Sequence, residues 1–591
     1  MTTVDETLHA ADAVADRFLE GKHLPGVAYG IVLDGELVHS RGIGTLRVGE
    51  ESPPDADSVF RIASMTKSFT AATVVSLRDE GRLSLDDPIA RHVPELAGLR
   101  GPTTDSPAIT IRHLLTMSSG LATDDPWGDR QQGLDLGAFS ELLRGPLTFA
   151  WTPGTRFEYS NLGYGILGRL ISNVAGAEYR DVVRARFLGP LGMDSTVYDS
   201  GEVPPERLAH GYVWRDGAFL EEPMDPYGAL ASMGGLFSSV RDLARWVGFF
   251  TDAYPPRDAP EGGPPLSRAS RREMQQAQGA WWPSVLMASP DADPEVAAGG
   301  YGLGLFVQDH LRWGRLVRHS GGYPGFGSHM WWQPASGVGV IVLANHRYAP
   351  STLLSRELMA ALLSTGAMPA RRIRPAAATT AARAAVERLL DRWDGEVAAG
   401  LFAVNVELDE PLERRRAEID RLRAAHGPLR LDPDLPEESE TGLHLAWWLA
   451  GERGGRVRVE IRLSPESPPR VQTLDISAVP EPGEPLRAIA ATLITSVNAP
   501  APAIPDGLDL GPVVDRTALG RVLRVVGARF APVELGPAVA GDGLRSATWR
   551  VRGKRGERGE LELTIERDPA SALVTTVNLV PRSPVMPPHD D

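Results

Sequence analysis

The chain has 591 residues, of which 42% are hydrophobic and 23% charged, with a net charge of −15 and no cysteine. Its length exceeds one ordinary core and predicts several domains. The acidic balance argues against nucleic-acid binding and a basic membrane-surface patch, and the missing cysteines exclude disulfides, thiolate metal sites and cysteine nucleophiles.

The start, Met1-Thr2-Thr3-Val4-Asp5-Glu6, is polar and acidic rather than cationic and then apolar. No apolar run reaches membrane-spanning length, and Val338 to Ala344 is only strand-sized. A cytoplasmic protein with no membrane partner is the expectation.

In chain order, apolar positions at helical spacing predict a helix from Val4 to Leu19. Val27 to Val32 and Leu37 to His39 flank Asp34-Gly35, a dipeptide suited to a hairpin turn, and Gly42-Ile43-Gly44 continues the sheet. A helix then opens at Ser64 and runs to about Glu80, closed by Gly81. From about 100 to 295 helical stretches alternate with loops rich in Pro, Gly and Asp. Thr110 caps one helix, Leu162 to Val174 forms another, and Ser239 caps a third. Strand signals return at Gly302 to Val307, Leu316 to His319, Gly327 to Trp332 and Val338 to Leu343, before a last helix over Ser351 to Leu363.

Strands at both ends with helices between predict an α+β domain over 1–370, with a helical insertion at about 100–295. Residues 371–383, rich in Pro, Ala and Arg, read as a linker. The remainder resembles an internal duplication, with α+β lobes over 384–486 and 487–591, each a helix or two on an antiparallel sheet.

Ser64 and Lys67 are three residues apart, so on a helix the hydroxyl and amine share one face. A serine hydroxyl needs a neighbouring base to become nucleophilic, and a desolvated lysine can supply one. Of 61 basic residues only Lys22, Lys67 and Lys554 are lysines. Arginine stays protonated in proteins, so a lysine kept at Ser+3 points to a task that arginine cannot perform. Tyr159-Ser160-Asn161 supplies a phenol and an amide. His319-Ser320-Gly321-Gly322 ends a strand, with glycines that let a backbone N–H approach a developing oxyanion.

Ser64-Met65-Thr66-Lys67, Tyr159-Ser160-Asn161 and His319-Ser320-Gly321, in that order, resemble the three-motif signature of penicillin-recognising serine hydrolases. The closer resemblance is to the class C β-lactamase-related group of esterases, D-amino-acid-specific peptidases and D,D-carboxypeptidases. It covers about residues 5 to 365, with supporting phrases at Thr110 to Leu115, Ser118 to Leu121 and Gly234 to Phe237.

The resemblance implies a β-lactamase/transpeptidase-like fold and acyl transfer through Ser64, with Lys67 and Tyr159 handling its proton. The amides of Ser64 and Gly322 would form the oxyanion hole, and Asn161, His319, Ser320 and Gly321 would bind substrate. Lysine usually opens the third motif and meets a substrate carboxylate. Here His319 stands there, which favours small esters or amides over D-peptides and β-lactams. The alternative for His319 is a packing histidine. The alternative for the whole chain is a binding or regulatory protein on the same fold. The C-terminal lobes leave room for covering the cleft or for joining subunits into a homo-oligomer. No His/Asp/Glu spacing suggests a metal and no phosphate loop suggests a cofactor.

Overall fold

Asp34 and Gly35 adopt φ of 51° and 91°, the left-handed pair that a tight hairpin needs. They join β1 (Gly26–Leu33) to β2 (Glu36–Gly44), and β1 is buried along almost its whole length. The computed structural model describes residues 4–263, 265–286, 295–310, 313–364, 375–553 and 560–581. The chain divides into two units, 2–371 and 372–591.

In the first unit follow β3 (Val59–Arg61), β4 (Tyr212–Arg215), β5 (Ala218–Glu221) and β6 (Phe237–Ser239). Then come β7 (Gly279–Leu286), β8 (Glu295–Tyr301), β9 (Phe306–His310), β10 (Gly314–Tyr323), β11 (Phe326–Gln333) and β12 (Val338–Ala344). One antiparallel sheet of eight strands runs β2-β1-β12-β11-β10-β9-β8-β7. The N-terminal strands therefore pair with the last one, Val27 opposite Ala344, which closes a chain whose helical part is inserted between them.

Helices Val4–Leu19 and Ser351–Ser364 share an apolar cluster with one face of this sheet, through Ala11, Ala15, Leu354, Leu358, Tyr29 and Val342. Against the other face lies the larger core, which contains the helix Thr66–Asp79. Every side chain of that helix from Thr66 to Leu77 is buried, as expected of a helix surrounded by protein on all sides. Trp246, itself 0% exposed, stacks on Phe69 at 3.9 Å between ring centroids and donates its indole N–H to Ser68 Oγ at 3.0 Å.

Three expectations need correction. The segment Gly302 to Leu305 is the turn between β8 and β9, with Gly304 at φ 75°, so the strand placed at 302–307 begins only at Phe306. The insertion at 100–295 is not purely helical. It holds the β4–β5 hairpin and β6, and β7 extends the main sheet at its edge. Pro283 lacks the N–H of a ladder residue, and the register slips between Trp281 and Ser284, which obscured β7 in the pattern. Third, the stretch expected as linker over 371–383 becomes helix from Ala377, because Ala377-Ala378 and Ala381-Ala382 favour helix strongly. Residues 371–374 lie outside the described residues.

The second unit contains two four-stranded antiparallel sheets in sequential order. The first spans Leu429–Leu431, His444–Gly451, Arg456–Leu463 and Val471–Val479, after the helix Leu412–His426. The second spans Val533–Ala540, Ser546–Gly553, Glu560–Arg567 and Val574–Pro581, after the helix Arg516–Phe530. Leu435, Trp448 and Val479 of the first sheet region join the apolar cluster of the second, and Arg550 meets Glu438 at 3.1 Å. Trp331, Trp332, Trp447 and Trp448 are all buried as core residues, and the side chains of Trp281 and Trp282 lie outside the described residues. Among the described residues no helix is long and apolar enough to cross a membrane.

Trp246→Ala is expected to lower unfolding stability by about 3–5 kcal/mol, and Trp246→Phe by less, in urea titrations. Equal, small effects of the two changes would contradict the packing of the helix Thr66–Asp79 described above.

Candidate active site

Ser64 sits on a single 3-10 turn, Ala63–Met65, directly ahead of the helix Thr66–Asp79. Ala63 has φ 47°, a left-handed conformation that a residue with a side chain adopts only under constraint. The constraints are visible. Ile62 N donates to Leu236 O at 2.9 Å, Ile62 O accepts from Ser328 Oγ at 2.8 Å, and Thr66 Oγ1 donates to Ala63 O at 2.7 Å. Leu236 N in turn donates to Thr66 Oγ1 at 3.1 Å, so the phrase Gly234 to Phe237 braces the nucleophile turn.

Lys67, the second residue of the helix, is fully buried. Its Nζ reaches three acceptors, Ser64 Oγ at 3.0 Å, Asn161 Oδ1 at 2.6 Å and Met233 O at 2.7 Å. Burial pulls its pKa down to about 8, while the carboxylates of Asp125, Asp124 and Asp129 pull the other way. Lys22, by contrast, is an exposed residue that caps the end of the first helix by donating to Phe18 O, and Lys554 lies outside the described residues.

The phenol of Tyr159 faces Ser64, and its ring lies 4.9 Å from Lys67 Nζ. Tyr159 is half-buried. Burial and then the Asp125 charge push its pKa well above the ordinary phenol value. Tyr159 is therefore a neutral phenol at neutral pH.

The loop that presents Tyr159 is held by the segment Thr110 to Leu121. Thr110 and His113 form a reciprocal capping box, with Thr110 Oγ1 accepting from His113 N at 3.2 Å. Gly154 N donates to Ser118 O and Glu158 N to Met117 O, each at 2.8 Å. Asn161 opens the helix Asn161–Ala175, which Ser160 caps by accepting from Gly163 N at 3.1 Å.

Residues absent from the sequence reading complete this wall. Asp124 accepts from the backbone N–H groups of Asn161 and Leu162 at 2.7 and 2.8 Å. Asp125 accepts from Asn161 Nδ2 at 2.8 Å, which turns the amide oxygen toward Lys67. Asp129 ends the same short helix, Asp125–Asp129, and burial lifts its pKa to about 6. The Asp-Asp-Pro start of that helix was the signal available for them.

Opposite lies β10. It pairs with β9 only as far as Arg318, so from His319 onward that edge of the strand borders the groove. A Cβ on Gly321 would stand 2.1 Å from Ile62 O, so only glycine lets the strand approach the Ser64 turn this closely. Ser320 and Gly322 remain half-buried, and Gly321 is buried.

His319 requires a correction. It is 1% exposed and rests against Tyr301 and Phe306. Its Nδ1 lies 2.7 Å from Ser320 O, a pure acceptor, so Nδ1 carries the proton and Nε2 accepts from the Tyr301 hydroxyl at 3.0 Å. Neither nitrogen remains for a substrate anion. Burial, reinforced by the Lys67 charge, lowers its pKa to about 3, so the ring is neutral. The position corresponds to the packing alternative, and the expected substrate contact has no free ring nitrogen to make it.

The family model described as Beta-lactamase matches residues 11–364. Protein flp of Staphylococcus aureus (strain MW2) is 26% identical over 336 residues, covering 56% of this chain and 62% of that protein, so the chain spans about three fifths of its relative. The D-alanyl-D-alanine-carboxypeptidase/endopeptidase AmpH of Escherichia coli (strain K12) is 28% identical over 335 residues, covering 56% of this chain and 82% of AmpH. Among solved structures, the octameric penicillin-binding protein homologue from Pyrococcus abyssi shares the fold. Its TM-score is 0.50 at 22% identity, over 80% of this chain and 98% of that one.

Gly321→Ala is expected to force β10 off the Ser64 turn, lowering stability by about 1–3 kcal/mol and reactivity of Ser64 toward a fluorophosphonate by tenfold or more. Unchanged labelling kinetics would show that the close approach is not required.

Proposed function

The chain belongs to the beta-lactamase family of serine hydrolases, and from that premise we propose that Ser64 carries a covalent acyl group during hydrolysis of small esters or amides. The observation that carries this reading is the 3.0 Å contact of Ser64 Oγ with a buried lysine whose pKa lies near its working range, at about 8.

In the first step neutral Lys67 takes the proton of Ser64 Oγ, and the oxygen attacks the substrate carbonyl carbon. The carbonyl electron pair moves to oxygen, where the N–H groups of Ser64 and Gly322 stabilise it. As the tetrahedral species collapses, the bond to the leaving group breaks. That group receives the proton from Lys67 by way of the Tyr159 hydroxyl, which accepts one proton and donates another. A water then attacks the acyl carbon, its proton passes along the same path, and Ser64 leaves as the hydroxyl. Tyr159 relays protons as a neutral phenol and Lys67 is the base, an assignment supported by their opposite pKa shifts. Ser320 lines the route of the substrate, Gly321 lets the strand approach the Ser64 turn, and Asn161, buried with its amide oxygen on Lys67 and its nitrogen on Asp125, positions the lysine.

Preference for esters and amides without a free carboxylate is supported by the commitment of both His319 nitrogens to protein partners. A second reading, D-stereospecific peptidase or D,D-carboxypeptidase, is favoured by the similarity to AmpH. Weak β-lactamase activity ranks third. Assembly into a homo-oligomer is supported by the octameric homologue.

A fluorophosphonate is expected to label the native protein, with labelling lost in Ser64→Ala. Absence of labelling on folded protein would reject the hydrolase reading. Because Lys67 must be neutral to accept a proton, kcat/KM should rise with pH toward a plateau above about 8. Asp129→Asn removes a charge that favours the ammonium, so the same limb should move to lower pH; an alkaline displacement would contradict the assignment. On one preparation, p-nitrophenyl esters should be cleaved faster than D-amino-acid p-nitroanilides or a chromogenic cephalosporin, and the reverse order would overturn the substrate ranking.

A further inference from the structure

Tyr348 lies on the loop between β12 and the helix Ser351–Ser364, in the left-handed region with φ 45°. Its backbone N–H faces Phe326 O at 3.1 Å and Tyr323 O at 3.4 Å, so the residue is tied to the end of the β10–β11 hairpin. The ring occupies the space that a side chain on Gly322 would need. A Cβ there would stand 2.8 Å from Tyr348 Cδ1.

Its hydroxyl crosses to the opposite wall and donates to Asp129 Oδ2 at 2.8 Å. Asp129 belongs to the short helix that packs on Asn161, where a Cβ on Gly128 would come within 2.9 Å of Asn161 Cβ. One phenol therefore spans from the strand bearing Gly322 to the wall that holds Asn161 and Lys67. Two neighbouring contacts follow the same course. The Tyr323 hydroxyl lies 2.7 Å from Asp129 O, and Arg347 pairs with Glu222, which also meets Arg130 at 3.5 Å. Tyr348 is 51% exposed whereas Asp129 is 5% exposed, so the ring meets solvent and its anchor lies inside.

We propose that Tyr348, anchored on Asp129, is a strap across the groove beside Gly322 that limits the size of the substrate group passing that point. This rests on the hydrolase reading above and adds a specificity-determining residue to it. A group bound with its carbonyl oxygen at the Gly322 N–H meets the edge of the Tyr348 ring, so short groups fit and long ones must displace the strap. The left-handed backbone means that the loop holds the ring there through these anchors rather than by intrinsic preference.

The test compares kcat/KM along two ester series, p-nitrophenyl esters of increasing acyl length and acetate esters of increasing alcohol length. Tyr348→Ala is expected to raise the long-to-short ratio at least about tenfold in one of the two series. Tyr348→Phe keeps the ring but loses the Asp129 anchor, and should shift the same ratio in the same direction by a smaller factor. Ratios within about twofold of the wild type in both series, for variants with native circular dichroism, overturn the strap. If Tyr348→Ala does not fold, the Tyr348→Phe ratio decides by the same criterion. Fluorophosphonate labelling of the wild type separates the two ideas: no labelling rejects the hydrolase reading itself, whereas labelling with unchanged ratios rejects only the strap.

Discussion

The burial of one amine governs the rest of the site. Removing a charged group from water costs several kcal/mol even after relaxation, and a buried lysine therefore either finds acceptors or sheds its proton. Lys67 does some of each. Three oxygens hold its Nζ within 3.0 Å, and three carboxylates lie near enough to oppose the effect of burial. The resulting pKa of about 8 permits proton exchange near neutrality, which the always-protonated guanidinium of arginine would not. In a chain that otherwise uses arginine almost throughout, this is a physical reason for a lysine here.

Each neighbouring element can be understood as serving that requirement. The helix Thr66–Asp79 is buried on all sides, which removes water from the amine. Met233 O, just ahead of Gly234 to Phe237, accepts from Lys67, and Leu236 of that segment braces the strained Ala63 through Thr66. Asp125 turns the Asn161 amide so that its oxygen, not its nitrogen, faces Nζ. Burial, with the charges of Asp125 and Asp129 behind it, holds Tyr159 in its neutral form, and the same burial lowers the pKa of Lys67, so the two candidate proton carriers are driven in opposite directions by shared desolvation.

The legible part of the site was the part encoded locally. Ser64 and Lys67 share a helix face by spacing alone, and Asp34-Gly35 and the Thr110 cap name their own turns. The three aspartates were not legible, because their meaning lies in contacts with Asn161 and Lys67 that sequence separation conceals. His319 was misplaced for a related reason. The strand pattern shows that it alternates with Ser320, but not that Tyr301 and Phe306 enclose its ring. In the fold, β7 was hidden by Pro283 and the start of the helix at Ala377 by the neighbouring prolines. At β7 tertiary packing overrode a local breaker, whereas at Ala377 the helix propensity of the alanines prevailed just beyond the prolines. The two C-terminal sheets were visible through alternation, whereas their shared apolar cluster around Trp448 and Val479 depends on how the lobes meet.

The third motif links chemistry to selectivity. A lysine at position 319 would carry a charge into the groove beside Lys67, and each would lower the pKa of the other. A neutral histidine avoids that repulsion, and its two hydrogen bonds fix the strand instead. The groove thereby lacks an obvious cation for a substrate carboxylate at this motif. Nearby, Arg61 is 1% exposed and covered by the rings of Tyr323 and Phe237, and Arg347 is paired with Glu222. On the proposed reading, selection by charge gives way to selection by shape, and Tyr348 stands where shape is decided.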